Sequence, residues 1–413
     1  MPRIAYTMSR FPKVSETFVA DEITAVADRG FDVEILPLIH HHDDITHPQA
    51  AALEQRAHYI QPWSPAALGA LAWWLVRAPG PTLRTVARLI RGNAGSRGFL
   101  LRSLALLPQA AWFARFCQRS GVEHVHAHFA THATTNAWVI HQLTGLPYTF
   151  TAHAHDIYVD TTFLDEKIRS SERAVAISEY GRGRMIACAP DLADRIVVIH
   201  LGVDLSLAEA VRTRVASEAT ADDDSSAGGT RQLLCVARLD ATKGHTVLLD
   251  ALERLRTDGH DVHLTLIGEG DLRADIESRI QELGLTDRVT MLGYRTHDEV
   301  LEAMARSDVV VAPSIETSSG DAEGIPVTLM EAMAIGTPVV ATVTAGVPEL
   351  ITDGVSGVLV PQRDADALAA AVAGLLDDPG LADRLSDAAA RAVAESFARD
   401  AVVDELVTLF AAT

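Results

Sequence analysis

Two carboxylates, Glu323 and Glu331, flank the stretch Gly324-Ile325-Pro326-Val327-Thr328, and an apolar run follows. Proline suits the start of a helix, because its φ is already helical and the amide it lacks would have no partner there. The spacing predicts a helix over 327–335, with Glu323 on the loop ahead of it and Glu331 inside it. At about 1.5 Å of rise per residue, Glu331 lies roughly 7 to 8 Å along the axis, beyond the turn where unpaired amides collect. Those amides, from Gly324 to Thr328, suit phosphate oxygens, helped by the positive end of the helix dipole. Glu331 is placed to accept from the vicinal hydroxyls of a ribose, and Glu323 from the hydroxyls of a second sugar. Such a set fits a nucleotide-sugar whose diphosphate lies between its two rings.

The matching cations are in ARLDATKG, residues 237–244, where Arg238 and Lys243 follow a strand and Gly244 enters the next helix. A strand, a loop carrying two cations and a helix start suit a diphosphate at the carboxyl edge of a parallel sheet. The segment is not a Walker motif. Alone it reads equally as a surface loop with two basic side chains; with 323–331 at the same sheet edge it reads as an assembled site.

The elements that hold these loops follow from periodicity. Short apolar runs alternate with amphipathic segments throughout, the pattern of strands and helices in parallel sheets. RIAYTM, FDVEILPL, HVHAH, PYTFTAH, RAVAIS and RIVVIH read as strands of the first half. RQLLCVARL, DVHLTLIG, RVTMLG, DVVVAPS, TPVVAT and SGVLV read as strands of the second. Ser15, Thr131 and Ser178 are candidate N-caps. A hinge is expected near residues 200–204, and the acidic Gly-Ser stretch 217–230 reads as a linker or insertion. This divides the chain into an α/β domain over 1–203 and another over 204–390, with 391–413 a helix returning to the first.

The chain has 413 residues, 48% hydrophobic and 22% charged, ordinary for a globular protein of two or three domains at ~100 to 200 residues each. Its formal charge of −20 argues against a general nucleic-acid binder, which needs a basic surface. Cys117, Cys188 and Cys235 are scattered and fit a reducing compartment. With no signal-peptide pattern and no run of ~18 apolar residues, a cytoplasmic location is expected.

The charge is uneven. From residue 55 to residue 122 there is no Asp or Glu, while Arg56, Arg77, Arg84, Arg88, Arg91, Arg97, Arg102, Arg115 and Arg119 all fall there. This stretch reads as a basic helical insertion, with two uses open. Trp73, Trp74 and the leucines pack it on the first domain, or the segment 63–120 lies against an anionic membrane as interfacial helices do.

E-G-I-P-V-T-L-M-E-A-M-A-I-G-T-P-V-V-A, together with R-L-D-A-T-K-G, L-I-G-E-G, L-G-Y, L-G-V-D and A-G-V-P-E-L-I-T-D-G-V-S-G, resembles the retaining GT-B glycosyltransferases of family 4, with their E-x7-E signature. The likeness covers most of the chain and is closest to exopolysaccharide-type members, which share the S-E-T-F pattern. It implies the GT-B fold, two Rossmann-like parallel-sheet domains facing a cleft, with C-terminal helices returning to the first. It implies transfer of a hexose from a UDP- or GDP-sugar to a glycan, lipid-linked glycan or small-molecule hydroxyl, with no metal and no cofactor beyond that co-substrate. By the same resemblance Arg238 and Lys243 neutralise the diphosphate, Glu331 binds ribose, Glu323 faces the transferred sugar, and Leu292, Tyr294 and Arg295 border the base. T-A-H-A-H-D adds His153 as the family's active-site histidine, with His155 and Asp156 as weaker candidates, and residues 9–19 as acceptor-side wall. The Gly-Gly loop that many relatives carry after the first strand is missing here.

Other functions share part of this residue pattern. A sugar-nucleotide epimerase or hydrolase on this architecture would dispense with the acceptor. A dinucleotide-dependent oxidoreductase lacks its G-x-G-x-x-G, since LIGEGDLR has only the first two glycines. A non-catalytic binding protein of this fold would not need both acids and both cations. HHHDD at 40–44 with His124, His126, His128 and His132 invites a metal, but a catalytic site also needs an open position and supporting partners.

Overall fold

The computed structural model describes residues 1–13, 17–40, 48–219 and 229–411. The chain forms two compact units, Met1–His200 with Val402–Thr413, and Leu201–Ala401. Each is built on a six-stranded sheet, parallel at every pairing.

The first sheet contains β1 (Arg3–Phe11), β2 (Asp32–His40), β3 (His124–His128), β4 (Tyr148–Ala152), β5 (Arg173–Ala176) and β6 (Ile196–Val198), in the order β2-β1-β3-β4-β5-β6. The second contains β7 (Arg231–Val236), β8 (Val262–Ile267), β9 (Val289–Gly293), β10 (Val309–Ala312), β11 (Val339–Thr342) and β12 (Val358–Val360), in the order β12-β11-β10-β7-β8-β9. Runs such as Val309-Val310-Val311 are buried on both faces, which is why they are continuously apolar rather than alternating. In each sheet the order reverses once, between β1 and β3 and between β7 and β10. Loops leaving the carboxyl ends on either side of such a reversal diverge and leave room for a ligand.

Ser178 caps the helix Glu179–Cys188, its hydroxyl accepting from Gly181 N at 3.0 Å. Thr131 occupies the N-cap of His132–Thr144 without a side-chain bond, and Ser15 lies outside the described residues. The helix Leu205–Ala219 takes in the first residues of the stretch 217–230 expected to be a linker, and residues 220–228 lie outside the described residues. The helix Pro379–Ser396 stays in the second unit, burying Leu385, Ala389 and Val393, and contacts the helix Val327–Ile335. The return to the first unit is therefore made only from Val402, and Val403, Leu406 and Phe410 join that unit's core beside Tyr6 and Ile23. Where the chain crosses back, Gly202 packs against the Arg399 backbone, and Arg399 Nη1 donates to Asp204 Oδ2 at 2.7 Å.

The basic stretch folds as the helices Pro65–Arg77, Pro79–Gly92 and Arg97–Ser120. One side packs: Trp74 is buried with its indole donating to Ala111 O at 3.0 Å, and Gln109 Nε2 donates to the carbonyls of Leu38 and Ile60 at 2.9 and 2.8 Å.

Candidate functional site

In the second unit the loop after β7 carries Arg238 and Lys243 into a 3-10 turn, Ala241–Lys243. Asp240 starts that turn, its carboxylate accepting from Thr242 N at 2.9 Å and Thr242 Oγ1 at 2.6 Å. Gly244 has φ +64°, and a Cβ there would fall 1.9 Å from Pro313 O. Only glycine lets the loop after β7 lie so close to the loop after β10. Ile315 N donating to Thr242 O at 2.7 Å ties the two together.

The loop after β10 runs through Glu323 and ends at Pro326, the N-cap of the helix Val327–Ile335. The proline thus sits one position earlier than the first-turn place expected. No side chain caps this helix, and its leading amides have no partner within it. Lys243 forms an ion pair with Glu323, both side chains largely buried at 15% and 18% exposure. Burial lowers the Lys243 pKa to about 8, opposed by the charges of Asp240 and Asp321. Arg238 is different: it is 62% exposed and pairs with Asp240 at 2.9 Å.

Glu331 is buried in the same helix, and its Oε1 accepts from His297 Nε2 at 2.7 Å. His297 opens the helix His297–Ala305, where Thr296 and Glu299 form a reciprocal capping box. Nothing in the local sequence pairs His297 with Glu331; the capping box was the only signal there, and it marks the helix start rather than the partner. Beside it, β9 leads through Gly293 to Tyr294 and Arg295, with Leu292 half-buried, Tyr294 exposed and Arg295 Nη1 donating to Tyr294 O at 2.8 Å. Gly268 N donates to Gly293 O at 3.0 Å, which places the LIGEG loop against this segment. Arg238, Lys243, Glu323, Glu331 and Leu292 to Arg295 thus all leave one sheet at its carboxyl ends.

In the first unit His153 follows β4 and is buried. Its amide donates to both oxygens of Asp156, at 3.0 and 3.1 Å, and Ala130 N donates to the same carboxylate at 2.5 Å. Asp156 therefore fixes the loop rather than offering a free acid. The His155 side chain lies outside the described part. His153 Nε2 lies 3.3 Å from His128 Nδ1, and His128 Nε2 donates to Glu22 Oε1 at 3.1 Å. Burial, reinforced by His128, pushes the His153 pKa well below the ordinary histidine value. His153 is therefore a neutral imidazole, and the residues behind it, Glu22 and His128, come from the reversal point between β1 and β3.

Glu22, His126 and His128 bring three ligand-type atoms within 4.8 Å of one another. Each already has protein partners: Tyr6 Oη donates to Glu22 at 3.0 Å, and His126 Nδ1 and Nε2 lie 2.8 and 3.2 Å from the hydroxyls of Thr149 and Thr151. His124 Nε2 shares Thr149 at 2.8 Å. Of the HHHDD run, His40 pairs with Glu54 at 2.8 Å, and the rest lies outside the described residues.

Residues 15–207 match the family described as Glycosyltransferase Family 4, and residues 218–392 the family described as Glycosyl transferases group 1. The chain is 30% identical to WcaL of Salmonella typhimurium, named as a colanic acid biosynthesis glycosyltransferase, over 98% of this chain and 99% of that one. It is 30% identical to the amylovoran biosynthesis glycosyltransferase AmsK of Erwinia amylovora over 89% of each. Among solved structures it is similar to Anabaena Alr3699/HepE in complex with UDP-glucose, with a TM-score of 0.73 and 18% identity over 100% of both chains.

Proposed function

Since the chain belongs to the group 1 and family 4 glycosyltransferases and has the GT-B fold, we propose that it transfers a hexose from a UDP- or GDP-linked donor to a hydroxyl group with retention of configuration. The observation that carries this reading is the Lys243–Glu323 pair, set where the sheet order reverses and flanked by Arg238 and by the uncapped helix that holds Glu331.

In this reading the diphosphate takes the cations Arg238 and Lys243 and the amides of Gly324, Ile325, Val327 and Thr328. Ile325 and Pro326 shape the approach to those amides. Glu331, held by His297, accepts from the ribose hydroxyls, and Leu292, Tyr294 and Arg295 border the base. A bound diphosphate competes with Glu323 for the Lys243 ammonium and frees the carboxylate for the transferred sugar. By the family resemblance His153 is the active-site histidine of the first unit, and burial keeps it neutral. As the C–O bond to the leaving phosphate lengthens, positive charge grows on the sugar and negative charge on the diphosphate. Stabilising the second is the largest catalytic term, because it is a charge that develops only in the transition state. The acceptor oxygen attacks the same face, and the departing phosphate oxygen takes its proton, so no side chain acts as nucleophile. The positive field comes from fixed cations and amides, and the reaction needs no divalent metal.

The names of WcaL and AmsK favour a polysaccharide precursor as acceptor, a lipid-linked glycan before a small molecule. The same reading places the protein in the cytoplasm, against the inner face of the membrane through 63–120. A thermal-shift screen against UDP-, GDP- and ADP-sugars tests the donor, because a ligand that binds only the folded state raises the melting temperature. Proton NMR of the product's anomeric signal tests retention. No shift with any donor, or an inverted anomer, refutes the reading.

A further inference from the structure

The helices of the basic stretch bury one side and leave the other unmatched. On Pro65–Arg77, Ala67, Ala70 and Trp74 face inward, while Leu68, Leu75 and Val76 stand in solvent, Val76 at 84% exposure. On Pro79–Gly92 the exposed residues form two neighbouring rows at helical spacing, Leu83-Ala87-Ile90 and Arg84-Arg88-Arg91. Leu101, 68% exposed, stands at the start of the next helix, between Arg97 and Arg102. Of the thirteen exposed large hydrophobic side chains among the described residues, seven lie between Trp63 and Leu101. They are concentrated in one stretch, within and just ahead of three consecutive helices, not scattered as on any soluble surface. Arg88 is used internally, by Glu166 and Gln142; Arg91, Arg97 and Arg102 stand exposed with no acid in the whole segment 55–122 to meet them.

We propose that this face, the Leu83–Ile90 row and Leu101 edged by Arg84, Arg91, Arg97 and Arg102, docks flat on a bilayer rich in anionic phospholipid. The proposal deepens the reading of 63–120 as a membrane contact. Three features select that occupant. Apolar side chains entering the acyl boundary with arginines at headgroup level are what an interfacial helix requires. The charge is one sign only, in a chain of net −20, so a general attraction to acidic partners is confined to this face. Among the described residues no helix is long and apolar enough to cross a membrane, which leaves lying on the surface as the geometry for this stretch. Docking there brings the first unit to the compartment boundary where a lipid-linked acceptor is presented.

The test is flotation of the full chain with phosphatidylcholine vesicles, plain or containing roughly a third phosphatidylglycerol. Binding to the anionic vesicles, absent from the plain ones and weakened as salt rises, is expected. Arg84→Gln with Arg91→Gln should weaken it roughly twenty-five-fold, at about fivefold per arginine near an anionic surface. Leu83→Ser with Ile90→Ser should weaken it at least as much at every salt concentration. All four positions are exposed, so an unchanged melting temperature certifies folding in each variant. Equal binding to plain vesicles, no binding to anionic ones, or dimerisation through Leu83 and Ile90 without vesicle binding overturns the proposal. A thermal shift with the donor is read on the same samples: loss of that shift with flotation intact removes the transfer reading and leaves the surface standing, and the reverse removes the surface alone.

Discussion

His297 Nε2 lies 2.7 Å from Glu331 Oε1, joining the first turn of one helix to the buried acid of another. In the reading proposed above, this bond leaves the second carboxylate oxygen to the donor's ribose and holds the side chain in place for it. His297→Ala should therefore weaken donor binding roughly tenfold, the equivalent of about 1.4 kcal/mol for one charge-assisted bond. Calorimetric titration with the preferred donor measures it. An unchanged Kd removes Glu331 orientation from the account.

Arg238 and Lys243 divide between activity and stability. Either change to alanine should cost about 3 kcal/mol of transition-state stabilisation, read as kcat/KM. Only Lys243→Ala should also lower the melting temperature, because it leaves the largely buried Glu323 without its cation, whereas Arg238 is 62% exposed. In a double-mutant cycle with Glu323→Ala, the two single losses should exceed the loss of the double variant. Additive losses would show that the pair contributes nothing.

The Lys243 pKa of about 8, set by burial, gives activity and stability opposite responses to alkali. Free enzyme loses this cation as pH rises through about 8, so kcat/KM should fall there, and Lys243→Arg should remove that fall. For stability the folded state binds the proton less tightly than the unfolded chain, whose lysine titrates near 10.4. Between those two values the unfolded state holds more protons, so this residue makes the protein more stable as pH rises through the window. Denaturant midpoints for wild type and Lys243→Arg, compared at several pH values, separate this term from the rest.

Buried imidazoles set the acid limit. Burial lowers His132 and His245 to about 4 and His124 to about 3, and pushes His126 and His153 well below the usual value. Each stays neutral in the folded state while the unfolded chain protonates near 6.5. Stability should be full above that pH and fall steeply as pH drops toward 4. His245→Gln should flatten the slope measured by urea unfolding; an identical slope would show that His245 protonates without penalty.

Chelation separates fixed cations from a bound one. In the proposed reading Arg238, Lys243 and the helix amides supply the field, so turnover should be unchanged by EDTA and by added magnesium. Loss of turnover on chelation, restored by one divalent ion, would assign that field to a metal instead.

Periodicity alone located all twelve strands of the described residues, and the proline between two acids located the helix Val327–Ile335, because both signals are written along a single segment of chain. The loop carrying Arg238 and Lys243 was legible for the same reason. Tertiary structure decided which loops meet. Lys243 reaches Glu323 because β10 lies beside β7, and His297 reaches Glu331 across 34 residues. The three histidines of β3 drew attention as metal ligands by type and alternation, yet hydrogen bonds to Thr149, Thr151 and Glu22 occupy them, and those partners stand on other elements. The arginine-rich stretch showed its charge in the sequence, but which of its leucines are buried was set by packing among its own helices and against the helix His132–Thr144. Local conformation depends on neighbours a few residues away; burial and pairing depend on strand order, which no single segment encodes.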